Sequence, residues 1–316
     1  MTVGDLGEFG VIARITSRLP QETGVLLGPG DDAAVVSTPD GRVVVSTDLL
    51  LEGRHFRRDW SSGYDVGRKA AAQNLADVAA MGARPTSLVV GLGMPADLPV
   101  AWLDALTDGL RDECAVVGAS VAGGDVTRGE LVVLGVTVLG DLEGRSPVRR
   151  SGARPGQVVA VCGRLGFAAA GWALLEKFGP GARGEVVTAH RRPAPPYAAG
   201  PQAAELGATA MLDVSDGLVQ DLGHVAEASG VGVELDPAAL PVAEPVAAAA
   251  AELGADPLDW VLTGGEDHAL AAVFPEEVRL PPEWTVVGRV VAGQGVQVRG
   301  RAIASGGWDH FRDSLS

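Results

Sequence analysis

"VVVSTDLLL", from Val43 to Leu51, decides how this chain is read. Apolar, largely branched runs flank Ser46, Thr47 and Asp48, so the stretch predicts a strand whose end offers two hydroxyls and a carboxylate together. Just upstream, "GPGDDAAVV" (Gly28 to Val36) places Asp31 and Asp32 in a glycine turn ahead of another apolar run. The two runs read as a strand pair. Before them, "GEFGVIARITSRL" has helical spacing; after them, "DVGRKAAAQNLADVAAMGARP" predicts a small-residue helix closed by Gly82 and Pro85. Asn74 and Asp77 fall on one side of that helix, at i, i+3.

Further on come a strand "TSLVVGLGM", a helix from about Pro99 to Val117, and a strand pair, "GASVAGGD" and "ELVVLGVTVLG". Charge, Pro and Gly then crowd together in "LEGRSPVRRSGARPGQ", which sets a boundary between expected domains 1–145 and 146–316. The second half again mixes elements: a strand "VVAVCG", a helix "GFAAAGWALLEKFG", a strand-turn-helix "ATAMLDVSDGLVQDLGHVAEASG", an Ala-rich helix near Pro245 to Gly254, and a turn followed by a strand in "DWVLTGGEDHALAAVF". The expected fold class is α/β, with mixed sheets in two domains.

The 316 residues carry a net charge of −15, are 47% hydrophobic and include 44 glycines, a globular profile with length for two cores. So acidic a chain is a poor partner for nucleic acid. No apolar stretch reaches the ~20 residues of a membrane span, and the N-terminal residues lack the basic-then-apolar order of a signal peptide. A cytoplasmic protein without membrane association is expected. Cys114 and Cys162 stand in apolar contexts without metal-type spacing and read as small core residues. His190, His224, His268 and His310 have no claim to chemistry at this level.

Acids recur where apolar runs meet glycine turns: Asp31 and Asp32, Asp48, Asp125 in "GGD", Asp213 and Asp216 in "DVSDG", Glu266 and Asp267 in "GGED". Each alone reads as a turn or cap residue. Together with Asp77 in its helix they would form a cluster tolerable only with cations, and hard oxygen donors suit Mg²⁺, which joins protein carboxylates to substrate phosphates. Walker-type, protein-kinase, G-x-S-x-G and G-x-G-x-x-G motifs are absent, and lysine occurs only as Lys69 and Lys177. Phosphate charge would then be met by metal, Arg and backbone N–H groups. Around Ser215, helix capping and metal or phosphate binding could coexist, and Asp267 reads as structural.

In order and with matching spacing, "GEFGVIARI", "GPGDDAAV", "VVVSTDLLLEGRHF", "NLADVAAMGARP", "AGGDVTRG", "RRSGARPG", "LDVSDGLVQDLGHV", "LTGGEDHAL" and "GGWDHF" resemble the thiamine-monophosphate kinases of the aminoimidazole-ribonucleotide-synthetase-like superfamily. The resemblance implies a two-domain architecture and homodimers whose N-terminal domains pair their sheets. It also implies several Mg²⁺ ions and ATP as co-substrate. Metal ligands would be Asp32, Ser46, Thr47, Asp48, Asp77, Asp125, Asp213 and Asp216. Nucleotide contacts would be Gly124, Asp125, Arg150 and Ser215, and thiamine-phosphate contacts His55, Glu266 and Trp308. Where the family pattern has a nucleotide-site tyrosine, this chain has Val116 and Val117, so base stacking is not carried over.

The implied reaction passes the γ-phosphoryl of ATP in line to thiamine monophosphate, giving thiamine diphosphate and ADP. The acceptor is a phosphate monoester with a second pKa of about 6, already mostly dianionic at neutral pH. No protein base or nucleophile is required, which leaves positioning and charge neutralisation as the work. Two alternatives stand beside this one: another ATP-dependent enzyme of the superfamily, such as a purine-pathway cycloligase, and a non-catalytic binder of Mg-nucleotide. "GGWDHF" and "GRHF" speak against the cycloligase. A hydrogenase-maturation relative would want a C-terminal cysteine where this chain reads "RDSLS", and a selenophosphate-synthesising one an N-terminal reactive cysteine.

Overall fold

A computed structural model of the chain describes residues 1–29 and 34–302. These divide into two compact units, Met1–Val78 with Ala83–Gly144, and Ala79–Gly82 with the described chain from Arg145 onward.

The first unit opens with helix α1 (Val3–Thr16), kinked at Gly7, where φ is 66°. Two short antiparallel strands follow, β1 (Val25–Leu27) and β2 (Val35–Val36). The main sheet comprises β3 (Val44–Leu51), β4 (Arg84–Met94), β5 (Ser120–Arg128) and β6 (Val133–Asp141), in the order β3-β6-β4-β5. Helices α2 (Gly63–Ala80) and α3 (Val100–Val117) pack on it. α3 is the crossover that lets β5 run parallel to β4, a connection a tight turn cannot make. Glycines bring α2 and α3 into backbone contact: a Cβ on Gly67 would stand 2.1 Å from the Leu106 carbonyl oxygen, and one on Gly63 2.1 Å from that of Trp102.

On β4, Val90, Leu92 and Met94 are buried while Val89 and Gly91 are exposed, so one sheet face carries the core and the other is open. Val45 and Leu49 of β3 also remain exposed, at 56% and 60%.

The second unit is built on a six-stranded mixed sheet. Its elements run β7 (Val158–Cys162), α4 (Phe167–Phe178), α5 (Glu185–Arg191), α6 (Ala199–Glu205), β8 (Ala210–Val214), α7 (Leu218–Ser229), β9 (Gly232–Leu235), α8 (Glu244–Leu253), α9 (Pro257–Thr263), β10 (Ala269–Phe274), β11 (Trp284–Val291) and β12 (Gly295–Val298). Strand order is β12-β9-β11-β7-β10-β8, antiparallel except for β12 with β9. Central β10 is buried throughout: Ala269, Ala271 and Val273 join one core, and Leu270, Ala272 and Phe274 the other. A strand covered on both faces reads as the unbroken apolar run "ALAAVF" for that reason. Phe274 meets Trp284 edge-on at 5.2 Å, and the Trp284 Nε1–H donates to Gln202 Oε1 at 3.0 Å.

Four local expectations are corrected. β2 pairs with β1 and β3 with β6, so "AAVV" and "VVVSTDLLL" are not partners. β5 and β6, adjacent in sequence, do not pair either, because β4 lies between them. Asp48 and Asp125 sit within β3 and β5 rather than at strand ends; the strands continue through them because each is partly or fully solvated. The segment before "GGED" is the helix α9 rather than a turn, started by Asp256, whose Oδ1 accepts the Leu258 N–H at 2.9 Å.

Cys114 and Cys162 are buried free thiols, as the sequence suggested, and burial pushes them up to about 12 and about 11. Neither is a nucleophile at neutral pH.

Candidate active site

In the first unit, one turn of α2 fixes two acids. Ser46 and Asp48 alternate with Thr47 along β3 and meet the helix. The Ser46 hydroxyl donates to Asp77 Oδ2 at 2.6 Å. The Asp48 N–H donates to Asn74 Oδ1 at 3.2 Å, and Gln73 Nε2 donates to Asp48 Oδ2 at 3.3 Å. Asn74 is fully buried and is itself held by its Nδ2 donating to the Ala70 carbonyl at 2.9 Å. The i, i+3 spacing of Asn74 and Asp77 thus becomes two anchors on one strand.

Thr47 faces the other way. Its hydroxyl donates to the Val136 carbonyl at 2.9 Å and accepts from Thr137 Oγ1 at 3.2 Å. Strand register aligns Asp48 with Val136, Val90 and Gly124, and Asp125 with Gly91, Gly135 and Leu49, one row along. Asp125 is exposed and shares its face with Thr47 and Leu49, not with Ser46 and Asp48. β3 and β5 are opposite edges of the four-stranded sheet, three strand spacings or about 14 Å apart. Gly124 has a structural requirement of its own: a Cβ there would lie 2.1 Å from the Val90 carbonyl oxygen.

His55 lies in the turn after β3, where its Nδ1 accepts the Leu51 N–H at 2.9 Å and its carbonyl accepts from the buried Lys69 Nζ at 2.9 Å. Val116 and Val117 end α3, Val116 60% exposed. A depression of about 640 Å³ lined by Pro95, Ala96, Asp97, Arg128, Gly129 and Glu130 contains none of these donors.

In the second unit, the "DVSDG" and "TGGEDH" segments pass in backbone contact. The Glu266 N–H donates to the Ser215 carbonyl at 2.7 Å, and the His268 N–H to that of Val214 at 2.9 Å. A Cβ on Gly265 would approach the Ser215 carbonyl oxygen to 2.6 Å, and one on Gly217 that of Thr263 to 2.6 Å. Only glycine permits that approach. Asp213 is buried at the end of β8, with Oδ2 3.0 Å from His268 Nδ1. Ser215 and Asp216 are half-buried.

No side chain among the described residues caps the start of α7, so the capping role expected around Ser215 is unfilled; Asp221 instead reaches back from the first turn, its Oδ2 accepting the N–H groups of Asp216 and Gly217, each at 3.0 Å. Asp221 is buried, and burial pushes its carboxyl up to about 7. Asp267 is structural, as read. Its carboxylate accepts the N–H groups of Gly166 and Ala168, the latter at 2.8 Å, across the start of α4, and burial pushes it too up to about 7. Glu266 keeps its side chain a third exposed, with Oε2 3.8 Å from Nδ1 of the buried His190. Arg150 is exposed; its carbonyl accepts from Ser229 Oγ at 3.3 Å.

Asp31, Asp32, Trp308 and His310 lie outside the described residues. The structure therefore brings together Ser46, Asp48 and Asp77 in one unit and Asp213, Ser215, Asp216 and Glu266 in the other, and leaves Asp125 apart from the first set. Gln73, His190, Asp221 and His268 are contributors that the sequence reading missed. The "DGLVQDL" spacing carried a signal for Asp221, an acid in the first turn of a helix.

Among the described residues no three His, Cys, Asp or Glu side chains gather into a metal cage. Mg²⁺ does not need one: it is bound through one or two carboxylates plus substrate phosphates and keeps several waters. The all-oxygen sets around Asp48 and Asp77, and around Asp213 and Asp216, fit that demand in kind.

Comparison with known proteins bears on what these sets serve. Residues 30–142 match the family model described as "AIR synthase related protein, N-terminal domain", and residues 154–301 the one described as "AIR synthase related protein, C-terminal domain". The thiamine-monophosphate kinase of Mycobacterium tuberculosis H37Rv is 51% identical, over 98% of this chain and 93% of its own. That of Corynebacterium glutamicum is 44% identical over 85% and 82%. The crystal structure of thiamine-monophosphate kinase from Stenotrophomonas maltophilia K279a superimposes with a TM-score of 0.82 at 34% identity, covering 94% of this chain and 98% of that one. A structure of AaThiL complexed with AMPPCP and TMP gives 0.81 at 33% identity over 98% and 99%. Matching both family models and sharing over half its residues with a kinase that it matches almost end to end, the chain belongs to the thiamine-monophosphate kinase family.

Proposed function

We propose that this enzyme transfers the γ-phosphoryl group of ATP directly to the phosphate of thiamine monophosphate, yielding thiamine diphosphate and ADP. The observation that carries this reading is the 51% identity to a thiamine-monophosphate kinase over 98% of the chain. Chemistry agrees with it. The acceptor phosphate, with a second pKa of about 6, attacks without a protein base. The chain's contribution is therefore to place two polyanions and offset their charge.

Bound Mg²⁺ would neutralise charge on the phosphates and bridge them to protein carboxylates. Asp48 and Asp77, with Ser46, would hold it in the first unit; Asp213 and Asp216 would do so in the second. Asp32, Thr47 and Asp125 are the remaining proposed ligands of the several Mg²⁺ ions; Thr47 and Asp125, on the sheet face opposite Ser46 and Asp48, would serve an ion other than the one at Asp48 and Asp77. Gly124, Asp125 and Ser215 would meet the nucleotide, and Arg150, with its guanidinium in solvent, would take phosphate oxygens bidentately. His55, Glu266 and Trp308 are assigned to thiamine monophosphate, Glu266 opposite its positive charge and Trp308 over its rings.

In this reading residues 1–145 bind nucleotide and metal and pair with a second copy, and residues 146–316 form the C-terminal α/β domain. Exposed Val45, Leu49 and Val89 on the open sheet face are consistent with the proposed homodimer. No helix among the described residues is long and apolar enough to cross a membrane, and its nucleotide co-substrate is abundant in the cytoplasm, where we place the enzyme.

The test is to incubate the purified chain with Mg-ATP and thiamine monophosphate and to separate the products. Thiamine diphosphate is expected; nucleotide binding without it would leave a non-catalytic binder, and turnover of formylglycinamidine ribonucleotide instead would make it a cycloligase.

A further inference from the structure

His268 is held in a place that packing alone does not explain. Its backbone is left-handed, φ 52°, two residues from Glu266 at φ 64°. Non-glycine residues there cost of order 1–3 kcal/mol and persist only where the surroundings over-determine them. Here the His268 N–H is fixed to the Val214 carbonyl at 2.9 Å, and the ring is buried against Asp213 with a 3.0 Å contact from Nδ1 to Oδ2. A carboxylate only accepts, so Nδ1 carries the proton in this bond. The bond occupies one oxygen of Asp213 and sets the plane in which the other is presented.

We propose that His268 is a positioning residue that orients the Asp213 carboxylate for the divalent cation carried with ATP. This rests on the preceding assignment of Asp213 as a metal ligand. Hydrogen-bond partners of ligating groups typically tune metal affinity by about 10–100-fold. A purely structural histidine would affect melting without changing metal affinity.

The experiment uses the full chain and four variants, with Mn²⁺ as the probe, titrated by electron paramagnetic resonance in the presence of a non-hydrolysable ATP analogue, and with melting recorded alongside. His268→Gly removes the donor and relieves the backbone, whereas His268→Asn tolerates the left-handed conformation and keeps an N–H donor near the Nδ1 position. Expected is a loss of Mn²⁺ affinity of about 10–100-fold in His268→Gly and recovery to within about threefold in His268→Asn. Should the glycine variant not fold for want of the buried ring, His268→Met, which refills that volume without an N–H donor, supplies the donor-free measurement. Unchanged Mn²⁺ affinity in the donor-free variant, with affinity reduced in Asp213→Asn, overturns the positioning role while leaving the metal site standing. Unchanged affinity in Asp213→Asn overturns the ligand assignment itself, and the proposal with it. The thiamine diphosphate assay on the unaltered chain decides the kinase reading separately from both.

Discussion

The two units hold their acids in opposite ways. In the first, Asp48 and Asp77 are half-buried on a strand and a helix, and neutral side chains, Ser46, Gln73 and Asn74, aim them. In the second, Asp213 is buried and is met by an imidazole, while the loop that follows it is tied down by backbone bonds and by Asp221. Asp267, equally buried, braces the neighbouring "GGED" segment against the start of α4. The first arrangement can lose a carboxylate charge and stay folded. In the second, acids carry part of the architecture, so removing one costs stability before it costs chemistry.

The sharpest way to break this comparison is Asp48→Asn, which keeps the shape and removes the charge. Transfer should fall by about 10³-fold while melting is unchanged, as for loss of one charge-stabilising group in a phosphoryl-transfer site. A variant that stays active, or that melts early, removes the contrast. Next in size is Asp267→Asn in the second unit. Its two oxygens each accept a different N–H, and an amide offers only one oxygen, turning its NH₂ toward the other donor, so about 3 kcal/mol of stability should be lost by denaturant unfolding.

Asp221→Asn sharpens the point through pH. One oxygen of Asp221 accepts both amides, which Asn can reproduce. With its carboxyl pushed up to about 7 from 3.8, the folded state keeps a proton that the unfolded state releases first. The contribution of Asp221 is therefore full below about pH 4 and is lost as pH rises to about 7. Relative to the variant, the unaltered chain should lose on the order of 2 kcal/mol between pH 5 and pH 7. Parallel melting curves across that range would show that Asp221 is not a buried acid of this kind. The smallest expected effect is from Ser46→Ala, which frees Asp77 from its 2.6 Å bond and should raise the Mg²⁺ concentration for half-maximal rate by about tenfold with little change in melting.

Element content was legible in the sequence wherever periodicity or glycine marked it. α2, α3, α4, α7 and α8 all fall where apolar spacing and end signals put them. α5 and α6, seven residues each, left too short a pattern to read. Asp77 was legible as a site residue because a carboxylate in the apolar last turn of a helix needs a partner, and Ser46 is one. His268 was not legible. Its value comes from a left-handed backbone and a buried contact to a residue 55 positions away, and neither leaves a mark in local spacing.

By itself the sequence determined the kinds of donor, all oxygen and mostly carboxylate, the two-domain α/β content, and the nine motifs that resemble one kinase family. Which acids stand together was decided only by tertiary structure. β4 pairs between β6 and β5, which sends Asp48 and Asp125 to opposite edges of the sheet, and register puts them on opposite faces. Strand pairing is a contact between segments far apart in the chain, and a one-residue change in register turns a side chain to the other face. No local pattern encodes that choice; it is set by which pairing buries Val90, Leu92 and Met94 beneath the helices.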